Sequence, residues 1–281
     1  MSDPANAQRH RWLARVAGGT GNASRRLIFF PYAGGDDAVA RAIADQLPLD
    51  FEVWSVSLPG SGRNLAARPE PIERSAAAVA ASIAALPTRP TVLWGHSLGA
   101  LIAFETARRL EAEHAARVSS ALIVSGARAP DRLSLRAEAM SSWSDERLAQ
   151  HLRSLGGVPA AVLNLPELMQ LAVERFRRDI ALAEQYTFEP GPALRQPLIV
   201  LGGTADPAVP GDEISHWAVH AERAEAVDRR MLPGDHFFIL ARLHELAHIV
   251  DAAARVASTA ATRGAGGTTA AEGAAWSRGM A

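Results

Sequence analysis

The sequence predicts an α/β fold with a mostly parallel central sheet flanked by helices on both faces and an inserted helical cap. Short apolar runs of strand length alternate with helical patterns along most of the chain, the arrangement that lays parallel strands under crossover helices. The alternation stops across residues 129–190, where no run reads as a strand and several read as helices. Finally, the chain has 281 residues, 48% of them hydrophobic, enough for one large core with an insertion.

Residues 1–24 are polar, include Gly18-Gly19-Thr20-Gly21-Asn22, and read as a flexible N-terminal segment. Leu27-Ile28-Phe29-Phe30 is a buried strand, followed by a Gly-Gly turn and a helix near 37–47. Phe51 to Ser57 is a second strand, then come a Pro/Gly loop and an alanine-rich helix at 72–86. Thr91 to Trp94 is a third strand, running into a helix from Leu98 to about His114. Further strands are expected at 118–125, 197–201 and 226–232, before a last helix over about 237–256. Inside 129–190, Val173, Phe176, Ile180 and Ala183 recur at helical spacing opposite Glu174, Arg175, Arg177 and Arg178. Such a stripe suits ordinary core packing, but the strandless stretch is long for a simple crossover, which favours a cap. The expected organisation is therefore a core in two pieces, 25–128 and 191–256, with a lid at 129–190. Residues 257–281 form a low-complexity Ala/Gly/Thr/Ser tail, read as disordered because it has too little bulky apolar surface to fold alone.

Composition narrows the chemistry. With 29 basic and 30 acidic residues the formal net charge is -1, so no bulk attraction to nucleic acid or an anionic membrane is expected. There is no cysteine, which excludes disulfides, thiolate metal sites and cysteine nucleophiles. There is no lysine either, which removes Schiff-base chemistry and any P-loop lysine. The N-terminus lacks an apolar h-region, and the longest apolar run, Ala76 to Leu86, is too short to span a bilayer. A cytoplasmic protein with no metal and no cofactor of its own is the expectation.

Gly95-His96-Ser97-Leu98-Gly99 fits G-x-S-x-G. The pattern is short enough to arise by accident, but here it follows the apolar strand Thr91-Val92-Leu93-Trp94 and opens a helix, the strand–turn–helix setting of a nucleophile elbow. A tight turn that strains the Ser97 backbone tolerates only small neighbours, hence Gly95 and Gly99. A serine hydroxyl needs a base, and the base an orienting acid, in the chain order Ser, Asp/Glu, His. After Leu198-Ile199-Val200-Leu201, the loop Gly202-Gly203-Thr204-Ala205-Asp206-Pro207 offers Asp206 as the acid. Leu232-Pro233-Gly234-Asp235-His236-Phe237-Phe238 offers His236 as the base. Asp212 and Glu213 suit the charge of a helix N-terminus. Asp235 is expected to point elsewhere, and His216, His220, His244 and His248 fall on helical stretches as surface or packing residues. His96 is assigned a support role at most, with its side chain facing away. For an oxyanion hole, Leu98 supplies one backbone N–H, and Phe30-Pro31-Tyr32-Ala33-Gly34-Gly35 the second, with Ala33 preferred over Tyr32.

Phe30-Pro31-Tyr32-Ala33-Gly34-Gly35, Leu58-Pro59-Gly60, Gly95-His96-Ser97-Leu98-Gly99-Ala100, Leu155-Gly156-Gly157-Val158-Pro159 and Leu232-Pro233-Gly234-Asp235-His236-Phe237-Phe238, in this order, resemble the type II thioesterases. These are stand-alone editing α/β-hydrolases of polyketide and non-ribosomal peptide synthases. The resemblance spans about residues 25–250, and the Leu-Gly-Gly-x-Pro segment, inside the cap, distinguishes it from generic esterases. It implies hydrolysis of acyl groups from the phosphopantetheine arm of an acyl or peptidyl carrier protein, with Ser97 as nucleophile, His236 as base and Asp206 as orienter. It also implies clearance of stalled or wrongly primed units. Asp36-Asp37-Ala38-Val39 and Ser61-Gly62-Arg63-Asn64 depart from the family pattern without touching these three residues. Carrier proteins are typically acidic, so Arg175, Arg177 or Arg178 are candidates for steering them. A generic carboxylesterase or lipase would use the same three residues. A chain-releasing thioesterase domain is less favoured, since residues 1–24 hold no carrier domain, and a non-catalytic binder is disfavoured by the complete Ser, Asp, His order.

Overall fold

The computed structural model describes residues 12–18, 23–60, 69–115, 119–135, 138–158 and 160–264. Strands β1 (Leu13–Ala17), β2 (Arg25–Phe30), β3 (Phe51–Val56), β4 (Thr91–His96), β5 (Ala121–Ser125), β6 (Leu198–Gly203) and β7 (Asp228–Leu232) form a seven-stranded sheet in the order β1-β3-β2-β4-β5-β6-β7. All pairings are parallel except β1 with β3, which is antiparallel.

The central strands are built around apolar runs because both faces are covered. Leu27 and Phe29 enter the layer that holds α1 (Ala38–Ala44) and α8 (Leu243–Gly264). Ile28 and Phe30, of opposite parity, enter the layer that holds α2 (Ile72–Ala84) and α3 (Leu98–Glu113). Between β5 and β6 the chain leaves the sheet, as the strandless stretch predicts, through two 3₁₀ turns and α4 (Asp145–Leu155), α5 (Ala160–Leu163) and α6 (Pro166–Gln185). These helices bury their own cluster, built from Leu148, Leu152, Val173, Phe176 and Ile180.

Three boundaries are corrected. The segment 1–24 is not wholly flexible: Leu13–Ala17 pairs with β3, Trp12 and Leu13 are buried, and the Arg15 guanidinium lies 5.7 Å from the Trp54 ring centroid. Backbone pairing supplies what its mixed polarity conceals. The expected last helix is two, α7 (Phe238–Ala241) and α8, separated at Arg242, and α8 runs on to Gly264, beyond the expected start of the tail. The remainder of that tail, 265–281, and the loop 61–68 lie outside the described residues. Among the described residues no helix is long and apolar enough to cross a membrane.

An ion-pair cluster ties the sheet's start to its last helix. The Arg25 guanidinium donates to both Asp50 oxygens, at 2.9 and 2.6 Å, and to Asp251 of α8, while Ser24 Oγ donates to Asp50. These donors hold the Asp50 carboxyl down to about 2, from an ordinary 3.8. A folded value below the unfolded one makes this contribution complete above about pH 5 and lost as pH falls through 3.8 toward 2. Asp50→Asn is therefore expected to lower Tm at neutral pH, and the gap from the parent to close as the melt is repeated from about pH 5 down to about pH 2.

Candidate active site

Parallel strands end at the same edge of the sheet, so the loops after β2, β4, β6 and β7 converge there. The loop after β4 is the tightest. Ser97 has φ 54° and ψ -121°, the only positive φ at a non-glycine position among the described residues. A Cβ on Gly95 would stand 2.2 Å from the Gly99 carbonyl oxygen, and one on Gly99 would stand 2.0 Å from that of Phe30. Both glycines are thus demanded by backbone contact. The strained turn is held from outside: Ser97 N–H donates to the Ser125 carbonyl at 2.8 Å, and Ala100 N–H to the Ser97 carbonyl at 2.9 Å.

The loops after β6 and β7 are stitched together. Thr204 N–H donates to the Leu232 carbonyl and Ala205 N–H to that of Gly234. This registers Asp206 against His236, whose Nδ1 lies 2.8 Å from Asp206 Oδ2. The other carboxylate oxygen accepts Ala208 N–H at 2.8 Å and Val209 N–H at 3.2 Å, which fixes the plane of the group. Both side chains are buried, and the polar atoms of the carboxylate are all engaged.

His96 is corrected. Its side chain does not face away: the ring is fully buried, 5.1 Å from the His236 ring and within aromatic contact of Tyr32, Phe237 and Phe238. Ser125 Oγ donates to the Gly95 carbonyl and accepts from Trp94 Nε1, so toward His96 Nδ1, at 3.0 Å, it is left as an acceptor and the proton sits on Nδ1. Burial, and then the nearby His236, push the His96 imidazole well below its ordinary range, so it is a neutral ring packed beneath His236. The parity of β4 carried the signal, since His96 shares the side of Val92 and Trp94.

The other candidates fall apart from this cluster. Asp235 does point elsewhere: its Oδ1 accepts Phe237 N–H at 2.8 Å. Glu213 opens a 3₁₀ helix, where it meets Arg128 at 3.4 Å. His220 is a buried packing residue with its Nε2 2.7 Å from Asp131, and His244 meets His248 edge to face along α8. Of the three lid arginines, Arg177 is engaged within the lid, on the carbonyls of Ser141 and Trp143 and on Asp145, and is not free for steering.

Ser97 and His236 line one cavity of about 370 Å³, shared with Leu98, Ala33 and the lid residues Leu152 and Phe176. The lid is fitted closely to the His236 loop. A Cβ on Gly156 would stand 2.1 Å from Asp235 Oδ2, and one on Gly157 2.2 Å from the Phe237 ring, which accounts for the glycine pair in Leu155-Gly156-Gly157. Among the described residues no group of three His, Asp or Glu side chains stands ready to hold a metal. A buried imidazole–carboxylate pair in a cavity with a strained serine is equipped for acyl transfer.

The comparisons point the same way. The family model of the Thioesterase domain matches residues 25–254. The thioesterase PikA5 of Streptomyces venezuelae is 33% identical over 88% of this chain and 86% of its own length. The gramicidin S biosynthesis protein GrsT of Aneurinibacillus migulanus is 31% identical over 85% of this chain and 92% of its own. The solved type II thioesterase BorB from the borrelidin biosynthetic cluster superposes with a TM-score of 0.76 at 32% identity, covering 86% of this chain and 97% of its own.

The contact of Gly99 with β2 sets a test. Gly99→Ala forces a methyl group into the Phe30 carbonyl and is expected to cost about 3 kcal/mol or more of stability in urea unfolding; parental stability would mean the elbow is not clamped by β2.

Proposed function

Because this chain belongs to the thioesterase domain family, serine hydrolases of the α/β-hydrolase fold that act on thioesters, we propose that it frees acyl groups from the phosphopantetheine arm of an acyl or peptidyl carrier protein. The observation that carries this reading is the His236 Nδ1–Asp206 Oδ2 contact of 2.8 Å at the rim of the cavity that Ser97 lines. With Nδ1–H given to Asp206, the Nε2 lone pair of His236 is free to take a proton.

In the proposed cycle, His236 takes the Ser97 proton as Oγ bonds to the thioester carbonyl carbon. The oxyanion receives the N–H groups of Leu98, at the first turn of α3, and Ala33. The C–S bond then breaks and the thiolate leaves, with the proton on His236 returned to sulfur. A water molecule, deprotonated by His236, attacks the acyl-serine, and collapse releases the acid and restores the Ser97 hydroxyl. A thiol of pKa about 8.5 leaves with little help from an acid, so the nucleophile and the oxyanion donors carry most of the acceleration. The chain needs no cofactor of its own; the pantetheine arrives with the substrate.

That GrsT is named for gramicidin S biosynthesis and BorB as a type II thioesterase of the borrelidin biosynthetic cluster supports a role in such a pathway, where clearance of stalled or wrongly primed acyl units is the task we assign to this chain. Leu163, Leu165, Leu168 and Leu171 are exposed on the lid and offer apolar side chains to a protein partner.

The test is hydrolysis of a panel of acyl-carrier proteins (acetyl, propionyl, malonyl, longer acyl, aminoacyl) alongside oxygen esters of matched acyl chains. Thioesters are expected to turn over faster, and Ser97→Ala to abolish burst acylation, a fall of about 10⁴-fold or more in kcat. Preference for the oxygen ester would make the chain a carboxylesterase; retained turnover in Ser97→Ala would remove the serine from the mechanism.

A further inference from the structure

One buried carboxylate lies outside the proposed cycle yet touches it. Asp179, on the lid helix α6, is 5% exposed, and its Oδ2 accepts the backbone N–H of Gly34 at 2.7 Å. Gly34 directly follows Ala33 in the loop after β2. We propose that Asp179 is a positioning residue that transmits the seating of the lid to the oxyanion loop, so that the Ala33 amide is aimed only while α6 rests on that loop. This inference deepens the thioesterase reading and rests on it.

The loop needs such a partner. Gly35 N–H donates to the Tyr32 carbonyl at 2.8 Å and Gly34 has φ +75°, which makes Tyr32–Gly35 a type II turn. The central peptide of such a turn, Ala33–Gly34, is the one that rotates when a turn changes type, and its N–H is not used by the turn itself. An acceptor fixed on that N–H selects one orientation and with it the conformation of Ala33. The acceptor comes from an element that is otherwise bound to the loop by packing alone: Tyr32 and Ala33 lie against the lid cluster of Val173, Phe176 and Ile180. A Cβ built on Gly34 would meet the α6 backbone at Phe176 only 3.8 Å away, so the helix sits directly on the turn.

A leucine would fill the same space without burying a charge, so packing alone does not account for the carboxylate. Burial raises the Asp179 carboxyl from its ordinary range, opposed by the Gly34 amide and by Arg178, whose Nε is 3.6 Å from Oδ1, and Arg175. A lid that has lifted away would leave this group without its amide and the turn without its orientation, so chemistry is coupled to closure over a bound acyl chain.

The test uses the full chain with Asp179→Leu, which keeps the γ-branched shape and removes the acceptor, and Asp179→Asn, which keeps a neutral acceptor. If Asp179→Leu does not fold, Asp179→Ser, too short to reach the amide, replaces it with the same expectations. Hydrogen exchange of the Gly34 amide is expected to quicken by about tenfold or more in Asp179→Leu and to be largely restored in Asp179→Asn. On an acyl-N-acetylcysteamine thioester, Asp179→Leu is expected to lose about 10- to 100-fold in kcat with KM within about twofold. It should lose the same factor in affinity for an acyl trifluoromethyl ketone, which forms an oxyanion on Ser97, but not for the matching unreactive thioether. Asp179→Asn should recover most of each loss. Unchanged Gly34 exchange, parental kcat, or equal losses for ketone and thioether would overturn the inference. A parent that hydrolyses no thioester would instead defeat the functional reading, and the exchange measurement would still decide whether Asp179 holds the turn.

Discussion

The site depends on one backbone constraint, the turn at Ser97. A φ of 54° at a non-glycine residue costs about 1–3 kcal/mol and persists only where its surroundings impose it. They do so by contact: the Gly95 and Gly99 α-carbons are pressed against the Gly99 and Phe30 carbonyls, leaving no room for a methyl group. Phe30 and Trp94 are buried on the sheet around this turn, and β5 accepts the Ser97 N–H. Relaxing the turn would therefore require separating strands β2, β4 and β5. The cost of the strain is offset by sheet packing, and Ser97 lines the cavity beneath the lid.

The remaining parts of the site are adjusted to that fixed point. Asp206 and His236 come from adjacent strands whose loops exchange backbone hydrogen bonds, so the 2.8 Å contact between them inherits the register of β6 and β7. His96 supports the His236 ring from below as a neutral, apolar-faced neighbour. The lid is fitted to the core at two loops, the Gly156–Gly157 pair on Asp235 and Phe237 and the Asp179 carboxylate on Gly34. Lid and core thus meet at the two loops that carry His236 and Ala33.

Much of this was legible in the sequence, for physical reasons. Strands buried on both faces read as unbroken apolar runs, so β2, β4 and β6 and the loops after them stood out, and with them Ser97 and Asp206, while His236 was marked by its place in the chain order, in a loop before the last helix. β1 was hidden because Leu13–Ala17 mixes Leu, Ala, Arg and Val and is defined by its ladder to β3 rather than by its own periodicity. The position of His96 was written in the parity of β4 but was outweighed by its place before Ser97. Asp179 left a fainter sign: three residues after Phe176 and next to Ile180, it falls on the apolar stripe of α6, and a carboxylate there requires a buried donor. Nothing local reveals that the donor is Gly34, 145 positions away.

The central claim, that the strained serine sharing a cavity with His236 is the reacting group, is tested most directly by active-site labelling with a fluorophosphonate, read by intact mass and peptide mapping. One adduct per chain, on Ser97, with labelling slowed by about 10³-fold or more in His236→Ala, is the predicted result. Labelling at another residue, or none from a preparation that still hydrolyses thioesters, would contradict it.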